Sequence, residues 1–220
     1  MTQVFADGVL FDLDGTLVDS TASVLRNWRR IAAMLGRDGE DLVGDLHGIP
    51  GRQVLRMIEP DLCENRIREL DQALIDGEVA DTRDVVPTRG ALQLLDAIPV
   101  GRWAIVTSGP RRLAPARLHA AGLPVPPVLV TADDVREGKP NPAPFQLGAQ
   151  RLGLRPERCL AIEDAPAGIT AARAAGCPTL GVLTTFPALD ADTVKDLTAV
   201  GVDATGSGLI VTYGSGEAAS

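Results

Sequence analysis

Short, continuously apolar runs interleaved with stretches of helical spacing constrain the fold of this chain more than any other feature. Residues 9–13, 103–107, 128–131, 159–162 and 179–183 are short and either β-rich or continuously apolar, which is the pattern of strands buried on both faces. Between and around them, residues 88–97, 111–121, 142–152 and 165–175 carry apolar positions at helical spacing, several with Pro in the first turn. Strand alternating with helix predicts an α/β fold, a Rossmann-like parallel sheet with helices on both faces. The rhythm breaks after the first strand. Residues 18–86 read as helical, with apolar spacing in 24–35, 52–57 and 62–74, so an inserted α-helical subdomain is expected rather than one long loop. The expected division is a core of residues 1–17 and 87–220 with a helical cap at 18–86. No internal repeat is found, and residues 205–220, Gly- and Ser-rich around an apolar 209–213, read as a late edge strand or a frayed tail.

Composition limits what this fold can do. The 220 residues suit one large domain or a domain with a smaller insertion. With 3% aromatic residues and a net charge of -8, stacking platforms and a basic surface for nucleic acid or anionic membrane are both disfavoured. Cys63, Cys159 and Cys177 form no C-x-x-C pair, so neither a disulfide framework nor a zinc site is expected. The first residues lack a basic segment before their apolar run, and no uncharged run reaches membrane-spanning length. A cytoplasmic protein, monomeric or weakly dimeric, is the expectation. The basic residues are nearly all Arg, and the only lysines are Lys139 and Lys195.

Four short motifs fall at or near the predicted strand ends. Asp12-Leu13-Asp14-Gly15-Thr16 directly follows the apolar residues 9–11. Residues i and i+2 share a strand face, so both carboxylates are expected to emerge together where ligands bind in open α/β sheets. Two adjacent carboxylates call for a shared proton or a divalent cation, and hard oxygen donors favour Mg²⁺. Thr107-Ser108-Gly109 ends the second run, where a hydroxyl and backbone N–H groups can hold a phosphate oxygen. Lys139, set in Gly138-Lys139-Pro140, supplies a point charge for a phosphoryl group or a nucleophilic carboxylate. Glu163-Asp164 adds a second acidic pair at another strand end. Each has a plainer structural reading as turn, solvated lysine or helix cap; what favours chemistry is that all four occur together and in order.

That ordered set resembles the haloacid dehalogenase-like phosphatase superfamily, over nearly all of residues 9–185. The resemblance implies Asp12 as a nucleophile forming an aspartyl-phosphate and Asp14 as general acid and base. It implies Mg²⁺ held by Asp12, the Asp14 carbonyl and Asp164, with Glu163 as a ligand or close partner, and Ser108 and Lys139 on the phosphoryl group. Within the superfamily, the presence of Asp14 favours phosphorus chemistry over dehalogenation, and the absence of any lysine before Lys139 excludes a Schiff-base cap lysine. Residues 21–25 carry no histidine of the kind expected in β-phosphoglucomutases. Leu46-His47-Gly48, residues 131–135, Gly138-Lys139-Pro140 and residues 163–168 are similar to the sugar and polyol phosphate phosphatases, such as those acting on glycerol phosphate, 2-deoxyglucose-6-phosphate and hexitol phosphates. His47 and Arg52 are then candidates for substrate contact, with Arg111 a further anion contact. The expected activity is Mg²⁺-dependent hydrolysis of a small phosphorylated metabolite; a sugar-phosphate mutase and a non-catalytic phosphometabolite binder are the alternatives.

Overall fold

The computed structural model describes residues 1–38 and 50–214. Its first part runs β1 (Thr2–Ala6), β2 (Gly8–Phe11), β3 (Val18–Asp19), α1 (Thr21–Met34), α2 (Gly51–Ile58), α3 (Glu64–Ala80) and β4 (Val86–Pro87). Alternating elements follow: α4 (Ala91–Ala97), β5 (Trp103–Val106), α5 (Leu113–Ala120), β6 (Leu129–Val130), α6 (Ala143–Arg151), β7 (Cys159–Glu163), α7 (Pro166–Ala174) and β8 (Thr179–Val182). The described residues close with β9 (Asp192–Val194), β10 (Val200–Thr205) and β11 (Gly208–Tyr213).

Six strands form one parallel sheet in the order β6-β5-β2-β7-β8-β9, the α/β architecture expected from the sequence. Its strands are apolar throughout because successive residues feed two different cores. Val9, Phe11, Trp103, Ile105, Leu160 and Ile162 enter one cluster with α4 and α5. Leu10, Ala104, Val106, Cys159 and Ala161 enter the other with α6 and α7. Phe11 and Trp103 meet edge to face at 6.3 Å between centroids. Each fully buried Leu or Phe of this kind contributes roughly 1.5–3 kcal/mol.

The stretch 205–214 departs from expectation, while 215–220 lie outside the described residues. β11 is neither an edge strand nor frayed; it is the centre of a second, antiparallel sheet ordered β1-β11-β10. Its inward residues Leu209, Val211 and Tyr213 join Ala6 and Val200 in the first core cluster. A strand flanked on both sides cannot be read from its own Gly- and Ser-rich surroundings, because its partner β1 lies some 200 residues away in sequence.

Between β3 and β4, which pair antiparallel through Val18↔Pro87 and Asp19↔Val86, lie α1, α2 and α3. They close on a core of their own, with Trp28, Ile31, Val54, Leu55, Ile67, Leu70 and Leu74 buried together. Gly77 lets α1 and α3 approach, since a methyl group there would sit 2.3 Å from the Asn27 side chain. Among the described residues no helix is long and apolar enough to cross a membrane.

Candidate active site

The order of the parallel sheet places the site. β2 is flanked by β5 on one side and β7 on the other, so the connections diverge at its C-terminal end and leave a crevice there. Asp12 follows β2, Thr107 and Ser108 follow β5, and Glu163 and Asp164 stand at the end of β7. With Asp14, Lys139 and Arg52 they line one cleft of about 520 Å³, roofed by Val24, Trp28 and Leu74 of the helical unit.

Lys139 is the hub. Its ammonium donates to Asp12 Oδ1 at 2.5 Å and to Glu163 Oε1 at 2.6 Å, with the Phe145 ring 5.2 Å away. The loop carrying it is braced by Asp134, which accepts from the Thr131 backbone and hydroxyl and pairs with Arg151 and Arg111. Burial opposes the Asp134 charge, but these partners outweigh it and lower its pKa to about 2. The other Glu163 oxygen accepts from the Ala165 N–H at 2.8 Å, at the start of α7. That position exists because residue 168 is Gly: a Cβ there would lie 1.6 Å from Glu163 Oε1. Gly15 gives Asp164 the same room, having φ +90 and space for a Cβ only 2.0 Å from Asp164 Oδ2.

Asp12, Glu163 and Asp164 are buried with carboxylate oxygens within 4.8 Å of one another. Burial holds Asp12 well above the ordinary carboxylate range against the pull of Lys139, with Glu163 and Asp164 pushing it further. Burial and Glu163 push Asp164 up to about 7, while Thr185, Lys139 and Thr16 pull it down. Burial also disfavours the Lys139 charge, but Asp12 and Glu163 outweigh it and raise its pKa. Three crowded carboxylates therefore face one ammonium, two charges short of neutrality. A hard divalent cation would supply that difference, and an all-oxygen donor set is of the kind that suits Mg²⁺. Glu163 spends both oxygens on Lys139 and Ala165, which leaves Asp12 and Asp164 as the better-placed donors of the three.

Several sequence expectations are redrawn here. Asp12 and Asp14 do not share a strand face, because β2 ends at Phe11 and the chain turns at Gly15, where Asp14 bridges to Val18. The Asp14 carboxylate instead accepts from the Ser20 hydroxyl at 2.8 Å and pairs with Arg117 at 2.5 Å. The Gly109 N–H turns back onto Thr107 Oγ1 at 3.0 Å, while Thr107, Ser108 and Gly109 all line the cleft. The Arg111 guanidinium pairs with Asp134, and its backbone N–H donates to Asp133 Oδ2 at 2.8 Å. Arg52 borders the cleft but pairs with Asp71 at 2.7 Å, and His47 lies outside the described residues. Arg117 and Glu78 were not anticipated. Their signal is a charge on an apolar stripe: Arg117 falls four residues after Leu113, and Glu78 four after Leu74.

Residues 6–176 match the model of the haloacid dehalogenase-like hydrolase family. The chain belongs to that family. It is an enzyme of the hydrolase class. Hexitol phosphatase A of Escherichia coli (strain K12) is 43% identical over 180 residues, covering 80% of this chain and 82% of that one. Glycerol-1-phosphate phosphohydrolase 2 of Saccharomyces cerevisiae is 32% identical over 201 residues, covering 86% and 78%. Among solved structures, a hydrolase from Pseudomonas syringae superposes with a TM-score of 0.72 at 26% identity, covering 82% of this chain and 86% of that one.

Glu78 yields a pH prediction. Burial pushes its carboxyl from 4.5 up to about 7, against Arg117, with Asp14 and Asp71 adding to the rise. A carboxyl raised in the folded state binds more protons folded than unfolded between those two values, so it erodes stability as pH rises through that window. Glu78→Gln is expected to melt close to the parent at about pH 5 and above it at about pH 8. Thermal melts at the two pH values check this, and a variant that gains nothing at the higher pH contradicts it.

Proposed function

We propose that this protein is a Mg²⁺-dependent phosphomonoesterase acting on small sugar or polyol phosphates. The observation that carries the reading is Asp12 at the sheet's switch point, held by Lys139 beside the acidic pair Glu163 and Asp164 and facing the same cleft as Asp14 and Ser108. The substrate class is supported by relatives named for hexitol and glycerol phosphates.

In this reading an Asp12 carboxylate oxygen attacks phosphorus and the bond to the departing alkoxide breaks, leaving an aspartyl-phosphate. Asp14 gives its proton to the alkoxide. It then takes a proton from the water that attacks phosphorus, as the Asp12–phosphorus bond breaks and phosphate leaves. Lys139 and Ser108 neutralise and orient the phosphoryl oxygens, where positioning and charge supply most of the rate. Glu163 fixes the Lys139 ammonium between itself and Asp12. Asp12, the Asp14 carbonyl and Asp164 would hold Mg²⁺, which offsets charge between the phosphoryl group and the carboxylates. The unit of α1 to α3, as a cap, would exclude bulk water and select the substrate. The chain is proposed to work without nucleic acid or membrane.

Phosphate release across a panel of polyol, pentose and hexose phosphates, ranked by kcat/KM, tests the reading; formation of an isomeric sugar phosphate in place of free phosphate would mark a mutase instead. Chelation with EDTA is expected to stop phosphate release and added Mg²⁺ to restore it. Undiminished turnover in excess EDTA would remove the metal from the scheme.

A further inference from the structure

We propose that Arg117 is a positioning residue for Asp14, and that Glu78 of the helical unit holds Arg117 where it does so. The inference rests on the phosphatase reading above and names a part of its machinery that lies outside the motifs. The Arg117 side chain is only 6% exposed, on the inward face of α5. One guanidinium nitrogen meets Asp14 Oδ2 at 2.5 Å and another meets Glu78 Oε2, on α3, at 3.1 Å. The other Asp14 oxygen accepts from Ser20, the residue that opens α1, at 2.8 Å. Both oxygens of the proposed acid and base are thus tied, which sets the direction of its carboxylate. Both ties trace to the helical unit, one directly through Ser20 and one through Arg117 and Glu78.

Two other roles for Arg117 fit less well. A substrate anchor needs donors turned to the cleft, whereas two of the guanidinium nitrogens are engaged by carboxylates. A purely stabilising role is a poor account of an arginine on an apolar stripe, since buried ion pairs are often no better for stability than the apolar residues they displace. The arrangement makes physical sense if the aim of Asp14 has to follow the seating of the helical unit over the cleft. A lone carboxylate on the turn after β2 would otherwise keep its rotamer whether or not that unit were in place.

The test is steady-state and burst kinetics of Arg117→Met, Arg117→Lys, Glu78→Gln and the Arg117→Met/Glu78→Gln pair, with melts run alongside. On a hexitol phosphate, Arg117→Met is expected to lower kcat by about 100-fold with KM within about twofold, and Arg117→Lys to recover part of the loss. Glu78→Gln is expected to lower kcat by about three- to tenfold, and to have no further effect once Arg117 is Met. p-Nitrophenyl phosphate has a leaving group that needs no proton, so Arg117→Met should keep a rapid first burst of p-nitrophenolate and slow only the later turnovers, in which water must be activated. A large rise in KM at unchanged kcat would make Arg117 a substrate anchor and overturn the proposal. So would additive effects of the two substitutions, or a burst slowed as much as alkyl phosphate turnover. If Arg117→Met does not fold, the cycle runs on Arg117→Lys with the same criterion. Failure of the underlying reading is separate and shows first, as a parent protein that releases phosphate from no member of the panel.

Discussion

Asp12→Asn is expected to abolish phosphate release, by on the order of 10⁴-fold or more, while the protein melts no lower than the parent. The two outcomes have one cause. The Asp12 carboxylate is buried against Glu163 and Asp164, which push its pKa up, so the folded state bears the cost of crowding like charges that the reaction needs. An amide relieves that repulsion and still offers Lys139 an oxygen to donate to. It cannot form an acyl phosphate. Acid-quenched parent enzyme is accordingly expected to carry phosphate that hydroxylamine removes, and the variant none. Full turnover by Asp12→Asn would remove the nucleophile from the scheme, and a collapsed melt would mean that the Asp12–Lys139 pair outweighs the crowding.

Lys139→Met is expected to fail on both counts. It takes away the ammonium shared by Asp12 Oδ1 and Glu163 Oε1, and removing one partner of a buried ion pair typically costs about 3–5 kcal/mol. The carboxyls can escape by taking up protons, so the deficit should shrink toward acidic pH and widen as pH rises. Added Mg²⁺ should recover part of the stability. Activity is expected to fall by about 10³-fold. Lys139→Arg separates charge from shape: the space beneath Phe145 holds a compact ammonium shared by two carboxylates, and a planar guanidinium does not fit that role. Melts at two pH values, with and without Mg²⁺, and phosphate release by both variants check these expectations. An arginine variant with parental activity would show that charge alone suffices.

Much of the core was legible because its strands feed two clusters at once, so each reads as an unbroken apolar run. β9 was missed for the opposite reason: Asp192–Val194 is short, sits at the sheet edge and opens on a charge. The place of β1 in the second sheet was illegible because pairing between residues 2–6 and 208–213 leaves no local pattern. At the site, Asp12, Lys139, Glu163 and Asp164 do converge, but Asp14 shows the limit of period-two reasoning. The rule that placed it beside Asp12 holds only while the strand continues, and β2 ends at Phe11, before either carboxylate, with the chain turning at Gly15, φ +90. Arg117 and Glu78 were in plain view as charges within apolar stripes. Their meaning lay in the fact that each is the other's partner across two elements 39 residues apart, which only a folded chain reveals.

The β3–β4 pair has a consequence for how such a protein can vary. The chain passes into the helical unit at Val18 and comes back out at Pro87, and these two residues face each other. Whatever is threaded between them therefore imposes no strain on β2, whatever its length, because exit and return share one doorway. Helices can be lengthened, recast or exchanged there while the carboxylates below keep their spacing. The ties from Ser20 and Glu78 to Asp14 and Arg117 set the terms of that freedom: a newcomer through the doorway must still bring a hydroxyl and a carboxylate to the same two places.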